Sequence, residues 1–277
     1  MTVTDTDQEC APWSGYRKND GDHKLEGISS ISNTDRSTTF SVGLSQKDHK
    51  MQLGKNEYLI LPLNKQIKMW RKANRRMRWG IKEEEFENIS KPLFLSESDR
   101  NDGFIGVALF YGFSDDGSGN SDPVLSGKIA WEYAQKSWWK KTWKCEYIDF
   151  EKRPEDIRLR PGAPARPKGF YLTKFQSGEK YQSLTVSPIR KSFNDETTGC
   201  GPEGIQFMTI THTHFQKLMN ERKIPFMALA DYDVAPYGYN DFFDAAQMFY
   251  SIDVLGLGIG NIDQNYPLFG IPSLRFH

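Results

Sequence analysis

Two histidines and two aspartates stand close together in this chain: His212 and His214 in THTHF, and Asp231 and Asp233 in ALADYD. An apolar run rich in β-branched residues precedes the first pair, and a second apolar run ends on the other. That order predicts strand, helix, strand over 204–233, with the ionisable groups at element ends, where α/β proteins often keep their chemistry. Neighbouring strand ends in a parallel unit lie ~5 Å apart, so His212 and Asp231 could meet. Imidazole with carboxylate suits zinc, iron or manganese, and carboxylates alone suit magnesium. His212, His214, Asp231 and Asp233 are therefore the expected ligands of a divalent metal, with Asp241, Asp244, Asp253 or Asp263 available to complete the set. A metal-dependent hydrolase or phosphoesterase is one functional reading. The plainer one is an aspartate capping a turn and a histidine bonded to backbone.

The stretch IPFMALADYD at 224–233, followed by PYG at 236–238, resembles the strand-plus-DxD signature of Toprim domains. That family uses an upstream glutamate with the DxD pair to bind magnesium for strand cleavage or nucleotidyl transfer. Here Thr173 and Lys174 stand where such a glutamate would be wanted, in the strand-like GFYLTKF, so the family's activity is not carried over. Cys200, with His212 or His214 and Asp231, follows the order many cysteine hydrolases show, and a helix start would lower its pKa. The interval between Cys200 and His212 is short for that architecture, and a small residue in the Gly/Pro turn GCGPE accounts for it equally.

The strongest surface signal lies at 65–82, KQIKMWRKANRRMRWGIK, with eight Lys or Arg and no acid. Ile67, Trp70, Ala73 and Met77 recur at helical spacing, and Gly80 is placed to end the helix. Lys68, Trp70, Arg71, Arg75, Arg76 and Arg78 are the expected partner-binding residues, with cations for phosphates or acidic side chains and an aromatic to stack. The acidic block Glu83, Glu84, Glu85 and Glu87 follows at once and could neutralise it. A second basic-aromatic stretch, SWWKKTWK at 137–144, reads as single-strand nucleic-acid chemistry or as a hairpin end with wet lysines. These features outnumber any complete catalytic set. The leading expectation is an accessory or adaptor protein that binds an acidic protein or a nucleic acid.

Lys+Arg and Asp+Glu are equal at 36 each, so any such binding needs a local patch rather than the field of the whole protein. No apolar run is long enough to span a membrane. The three scattered cysteines fit free thiols in a reducing compartment, which makes the cytoplasm the expected location. The elements that must position the residues above read as an α+β fold. Its sheet is mixed, with an antiparallel hairpin region and a C-terminal strand-helix-strand unit. Residues 1–50 read as an irregular arm and 51–152 as an antiparallel β region with the basic helix. A Pro/Arg-rich loop at 153–169 precedes a C-terminal α/β-like half at 170–277. Within the hairpin, FIGVALFYGF at 104–113 reads as a central strand, 114–122 as the tip, and 125–134 as a strand of period two. Residues 143–150 could add a third antiparallel strand, and the final 261–277 read as irregular. The motif RLRPGAPARP at 158–167 reads as a rigid loop that also fits proline-rich ligand patterns, and GLGIG at 256–260 as small residues in a packed strand.

Overall fold

The computed structural model describes residues 60–89, 93–114, 119–137, 141–194, 196–236 and 241–276. The arm expected at 1–50 lies outside them, as do Trp138, Trp139 and Lys140 and the hairpin-tip residues 115–118. The architecture is α+β with a mixed sheet.

Helix α1 (Leu63–Met77) forms where the apolar spacing predicts it, with Gln66, Trp70 and Ala73 as its buried stripe. It ends one turn before Gly80. Arg78 takes the left-handed cap conformation (φ 58°, ψ 44°), and its N–H donates to the Asn74 carbonyl at 2.7 Å. Two short helices, α2 (Glu83–Glu87) and α3 (Glu97–Asn101), lead into strand β1 (Gly106–Gly112). Helix α4 (Pro123–Ser137) replaces the strand expected over 125–134. Its buried residues are Ser126, Gly127, Ala130, Trp131, Tyr133 and Ala134, which follow a helical period and not a period of two. Asp122 caps it by accepting the N–H groups of Val124 (2.8 Å) and Leu125 (3.0 Å), with Pro123 at the first helical position.

Strands β2 (Thr142–Lys144), β3 (Ile157–Leu159) and β4 (Gly169–Gln176) follow, then helix α5 (Val186–Ser192) and strand β5 (Thr197–Gly199). The expected first strand of the 204–233 unit is instead buried helix. Helix α6 (Pro202–Gln206) passes into a π-helical turn (Phe207–Thr211), and α7 (His214–Asn220) follows. Every residue from Pro202 to His212 is buried, polar ones included, so no exposed face gives the run the period that tells a core helix from a strand. The second apolar run is strand β6 (Phe226–Val234), as expected. Strands β7 (Asp244–Ser251) and β8 (Val254–Asn261) form an antiparallel hairpin, and β9 (Phe269–Gly270) and β10 (Ser273–Arg275) close the described chain.

Two sheets share one hydrophobic core. The first is antiparallel, in the order β1-β4-β10-β5. The second runs β2-β8-β7-β6-β3, with β9 also paired to β6; β2 and β9 are its parallel members. Three expectations change here. β10 is an inner strand, although it lies in the terminal segment read as irregular. Strand β1, read as central, is an edge strand, and β2 pairs in parallel rather than as a third antiparallel strand.

The β1 edge is nevertheless closed by side chains. Gln66 of α1 accepts the Leu109 N–H (2.8 Å) and donates to the Val107 carbonyl (2.9 Å). Trp70 Nε1 donates to the Leu109 carbonyl at 3.1 Å. Gln206 of α6 accepts the Tyr111 N–H (3.1 Å) and donates to the Tyr111 carbonyl (2.8 Å). Ser126 Oγ accepts the Phe113 N–H at 3.1 Å. An open strand edge is a template for unwanted pairing, and here three helices satisfy it residue by residue.

Candidate binding surface and the arginine–aspartate ladder

Docking α1 on β1 divides the basic helix into two faces. Trp70 is fully buried, tilted against Trp79 and Tyr111 and edge-on to Phe170. This corrects the expectation that it stacks on a partner; its indole closes the β1 edge instead. Arg71 is half-buried, paired with Glu83 and seated over the Phe86 ring at 5.2 Å, so the acidic block does neutralise this one cation. The other face stays in solvent. Lys65, Lys68, Lys72, Arg75, Arg76 and Arg78 are all exposed. Arg76 is steered by a hydrogen bond to the Lys136 carbonyl. Arg75 and Arg76 lie in the last turn, where the helix dipole favours cations.

Arg78 departs from ordinary backbone preference. A left-handed residue just past a helix is usually glycine, because a Cβ there crowds the following carbonyl. The chain places a charged residue at that position and a glycine two residues later. Such an outlier is a reason to ask what the side chain is for.

The expected metal ligands fall in different surroundings. His212 is fully buried, with its ring stacked on Phe207 at a centroid distance of 4.1 Å. Its Nε2 accepts the Leu61 N–H at 3.1 Å, so the neutral ring carries its proton on Nδ1, which donates to Thr211 Oγ1 at 2.7 Å. Burial, and secondarily the neighbouring His214, holds its pKa well below the ordinary histidine value. The half-buried His214 ring lies 5.8 Å from that of His212.

Asp231 and Asp233 are buried on β6 and spoken for by arginines. Edge strand β3 runs antiparallel to β6 with Arg158 opposite Asp233 and Leu159 opposite Tyr232, and the Arg160 N–H donates to the Asp231 carbonyl. The period of two therefore sets the two arginines of RLR and the two aspartates of DYD on one face. Arg160 Nε donates to Asp231 Oδ1 at 2.5 Å, and Thr198 Oγ1 also donates to Asp231. Arg190 of α5 donates to Asp233 Oδ1 at 2.6 Å and to the Ala230 carbonyl at 2.6 Å. Deepest lies Arg166, wholly buried, donating to Glu203 Oε1 (2.6 Å), Asp231 Oδ2 (3.0 Å) and the Gly199 carbonyl (3.0 Å). Gly199 permits this approach of β5 to β6, since a Cβ there would lie 2.7 Å from the Ala230 Cβ.

A glutamate thus does stand across from the DxD aspartates, but on a helix, and the Arg166 guanidinium fills the space between the carboxylates. Burial opposes the charge of Arg166, yet Glu203 and Asp231 outweigh it and raise its pKa. Burial is also the larger influence on Asp233 and raises its carboxyl above the usual range despite Arg190. Among the described residues no group of three or more His, Cys, Asp or Glu side chains is arranged to hold a metal ion.

Cys200 is a free, fully buried thiol. Burial, followed by the charge of Glu203, pushes its pKa well up, the opposite of what activates a nucleophile. Cys145 is disulfide-bonded, so the reading of free thiols does not hold for it.

No match ties the chain to a known protein. Neither protein-family models, curated proteins nor solved structures resemble it.

Sequence reasoning missed the arginine half of the ladder. RLR at 158–160 and DYD at 231–233 carry complementary charge at the same period of two, but nothing in one sequence says that the two segments pair. No helix among the described residues is long and apolar enough to cross a membrane.

Proposed function

We propose that this chain is an accessory protein that holds an acidic partner, a nucleic acid or an acidic protein surface, on the exposed face of α1. The observation that carries this reading is the separation of the helix into a docked apolar face and a free cationic row ending at Arg78. Six cations without an acid on the helix concentrate positive potential on a protein whose formal net charge is zero. The partner-binding set changes accordingly. Lys68, Arg75, Arg76 and Arg78 remain, Lys65 and Lys72 join them, Trp70 leaves it, and Arg71 is held in its pair with Glu83.

Capture on beads carrying a short DNA duplex, and separately on beads carrying a poly-glutamate peptide, tests this. The wild-type protein should be retained on at least one and elute with salt. The variant combining Lys68→Glu, Lys72→Glu, Arg75→Glu and Arg76→Glu should pass through both with its circular dichroism unchanged. Equal retention of the two proteins would remove the proposal.

A further inference from the structure

The ladder on β3 and β6 carries more positive charge at its outer end than its aspartates use. We propose that Arg158, Arg160 and Arg190 form a binding site for a phosphate group at the β3 edge of the six-stranded sheet, separate from the α1 face.

Four arginines and three carboxylates make up the network: Arg158, Arg160, Arg166 and Arg190 with Glu203, Asp231 and Asp233. Arg166, at the buried end, takes Glu203 and one oxygen of Asp231 for itself. Two aspartates then serve three more arginines. Side-chain exposure rises outward, from 0% at Arg166 to 12% at Arg190, 14% at Arg160 and 46% at Arg158. The surplus cation is therefore the one that meets solvent.

Every nitrogen of the Arg160 guanidinium is bonded, to Asp231, the Pro161 carbonyl and Thr198, but the donors of Arg158 and Arg190 are not used up. A guanidinium offers five N–H bonds in a fixed fork. Arg158 stands directly opposite Asp233 in the strand register, where an ion pair would close easily, yet its nearest approach is 4.0 Å. Its side chain makes no hydrogen bond among the described residues and sits over Phe242, 3.5 Å from the ring centroid. Arg190 uses Nε and Nη2, and its Nη1 has no hydrogen-bond partner among the described residues. None of these nitrogens is a buried atom left unpaired, so their free donors reach water. Arg160 and Arg190 are near enough to repel each other, which contributes, after burial, to a lowered Arg190 pKa. An anion between them would relieve that repulsion.

The chemistry selects phosphate over carboxylate. One planar carboxylate is satisfied by one guanidinium fork, whereas the terminal oxygens of a phosphate group point in several directions and take several. Here the forks arrive from strand β3 and helix α5, and the Phe242 ring holds the most exposed one in place.

Isothermal titration with inorganic phosphate at fixed ionic strength tests the site. Saturable binding to the wild-type protein is expected, with acetate at the same concentration giving none. Arg158→Gln should weaken phosphate binding by about tenfold or more. It removes no side-chain hydrogen bond, only a long ion pair and a ring contact, so its melting temperature without phosphate should fall by no more than a few degrees. Phe242→Leu, which keeps every charge and removes the platform, should weaken binding less. The α1 charge-reversal variant should bind phosphate as the wild type does. Absence of saturable binding, equal affinity in Arg158→Gln, or loss of binding only in the α1 variant would each overturn the proposal.

Discussion

Gln66 makes two hydrogen bonds to β1 that no apolar residue can replace. Replacing it with leucine would leave the Leu109 N–H and the Val107 carbonyl buried without partners, at about 2–4 kcal/mol together. Urea unfolding of Gln66→Leu should show that loss; a change below about 0.5 kcal/mol would mean that water satisfies this edge instead. Arg78 makes the opposite kind of prediction. Arg78→Gly removes left-handed strain and should raise stability by up to about 1 kcal/mol, while weakening capture of an acidic probe. A variant that is both more stable and less able to bind separates the use of the side chain from its place in the fold. At this scale the sequence was partly legible. Lys68, Arg75 and Arg76 were readable as an exposed row because charge at helical spacing has one common outcome. Trp70 was not, because a tryptophan beside cations looks the same whether it stacks on a ligand or closes a strand edge.

Among the elements, helix α4 shows why the pattern misled. Leu125, Gly127, Ile129, Trp131 and Tyr133 alternate with other residues, yet Asp122-Pro123 is a helix-start signal that outweighs alternation. Asp122→Ala should therefore cost about 1 kcal/mol, read by thermal unfolding. The π-helical turn and His212 join α1 to the core through the Leu61 N–H. The folded protein keeps this ring neutral, whereas the unfolded chain protonates it below about pH 6.5. The unfolded state then binds one more proton, so stability falls as pH drops below that value, by up to about 1.4 kcal/mol per pH unit, until the lowered folded pKa is reached. Urea midpoints of the wild type should fall between pH 6.5 and 5, and those of His212→Gln should fall less steeply by one proton's worth. Parallel profiles would show that other groups govern this range. The run GIQFMTIT was illegible for a different reason: burial on all sides erases the periodicity that distinguishes helix from strand.

For the whole molecule, the α+β class and the mixed sheet could be read from the order of apolar runs and turn formers, because that order limits how layers can stack. The sheet order could not. Strands β4 and β10 are about a hundred positions apart in sequence, and β3 meets β6 across some seventy residues, so no local signal marks either pairing. The same distance hid the arginine ladder. What the assembled molecule adds is a division of charge: Arg160, Arg166 and Arg190 are hydrogen-bonded to buried aspartates, whereas the cations of α1 other than Arg71 face solvent. The salt dependence of binding reports on that division most directly. Fluorescence anisotropy with a labelled DNA duplex, repeated over a range of salt concentrations, should give a log–log slope that becomes about one unit shallower for each of Lys68→Gln, Lys72→Gln and Arg75→Gln. Identical slopes for the wild type and all three variants, or no salt-dependent binding to this duplex or to a labelled poly-glutamate peptide, would contradict the account.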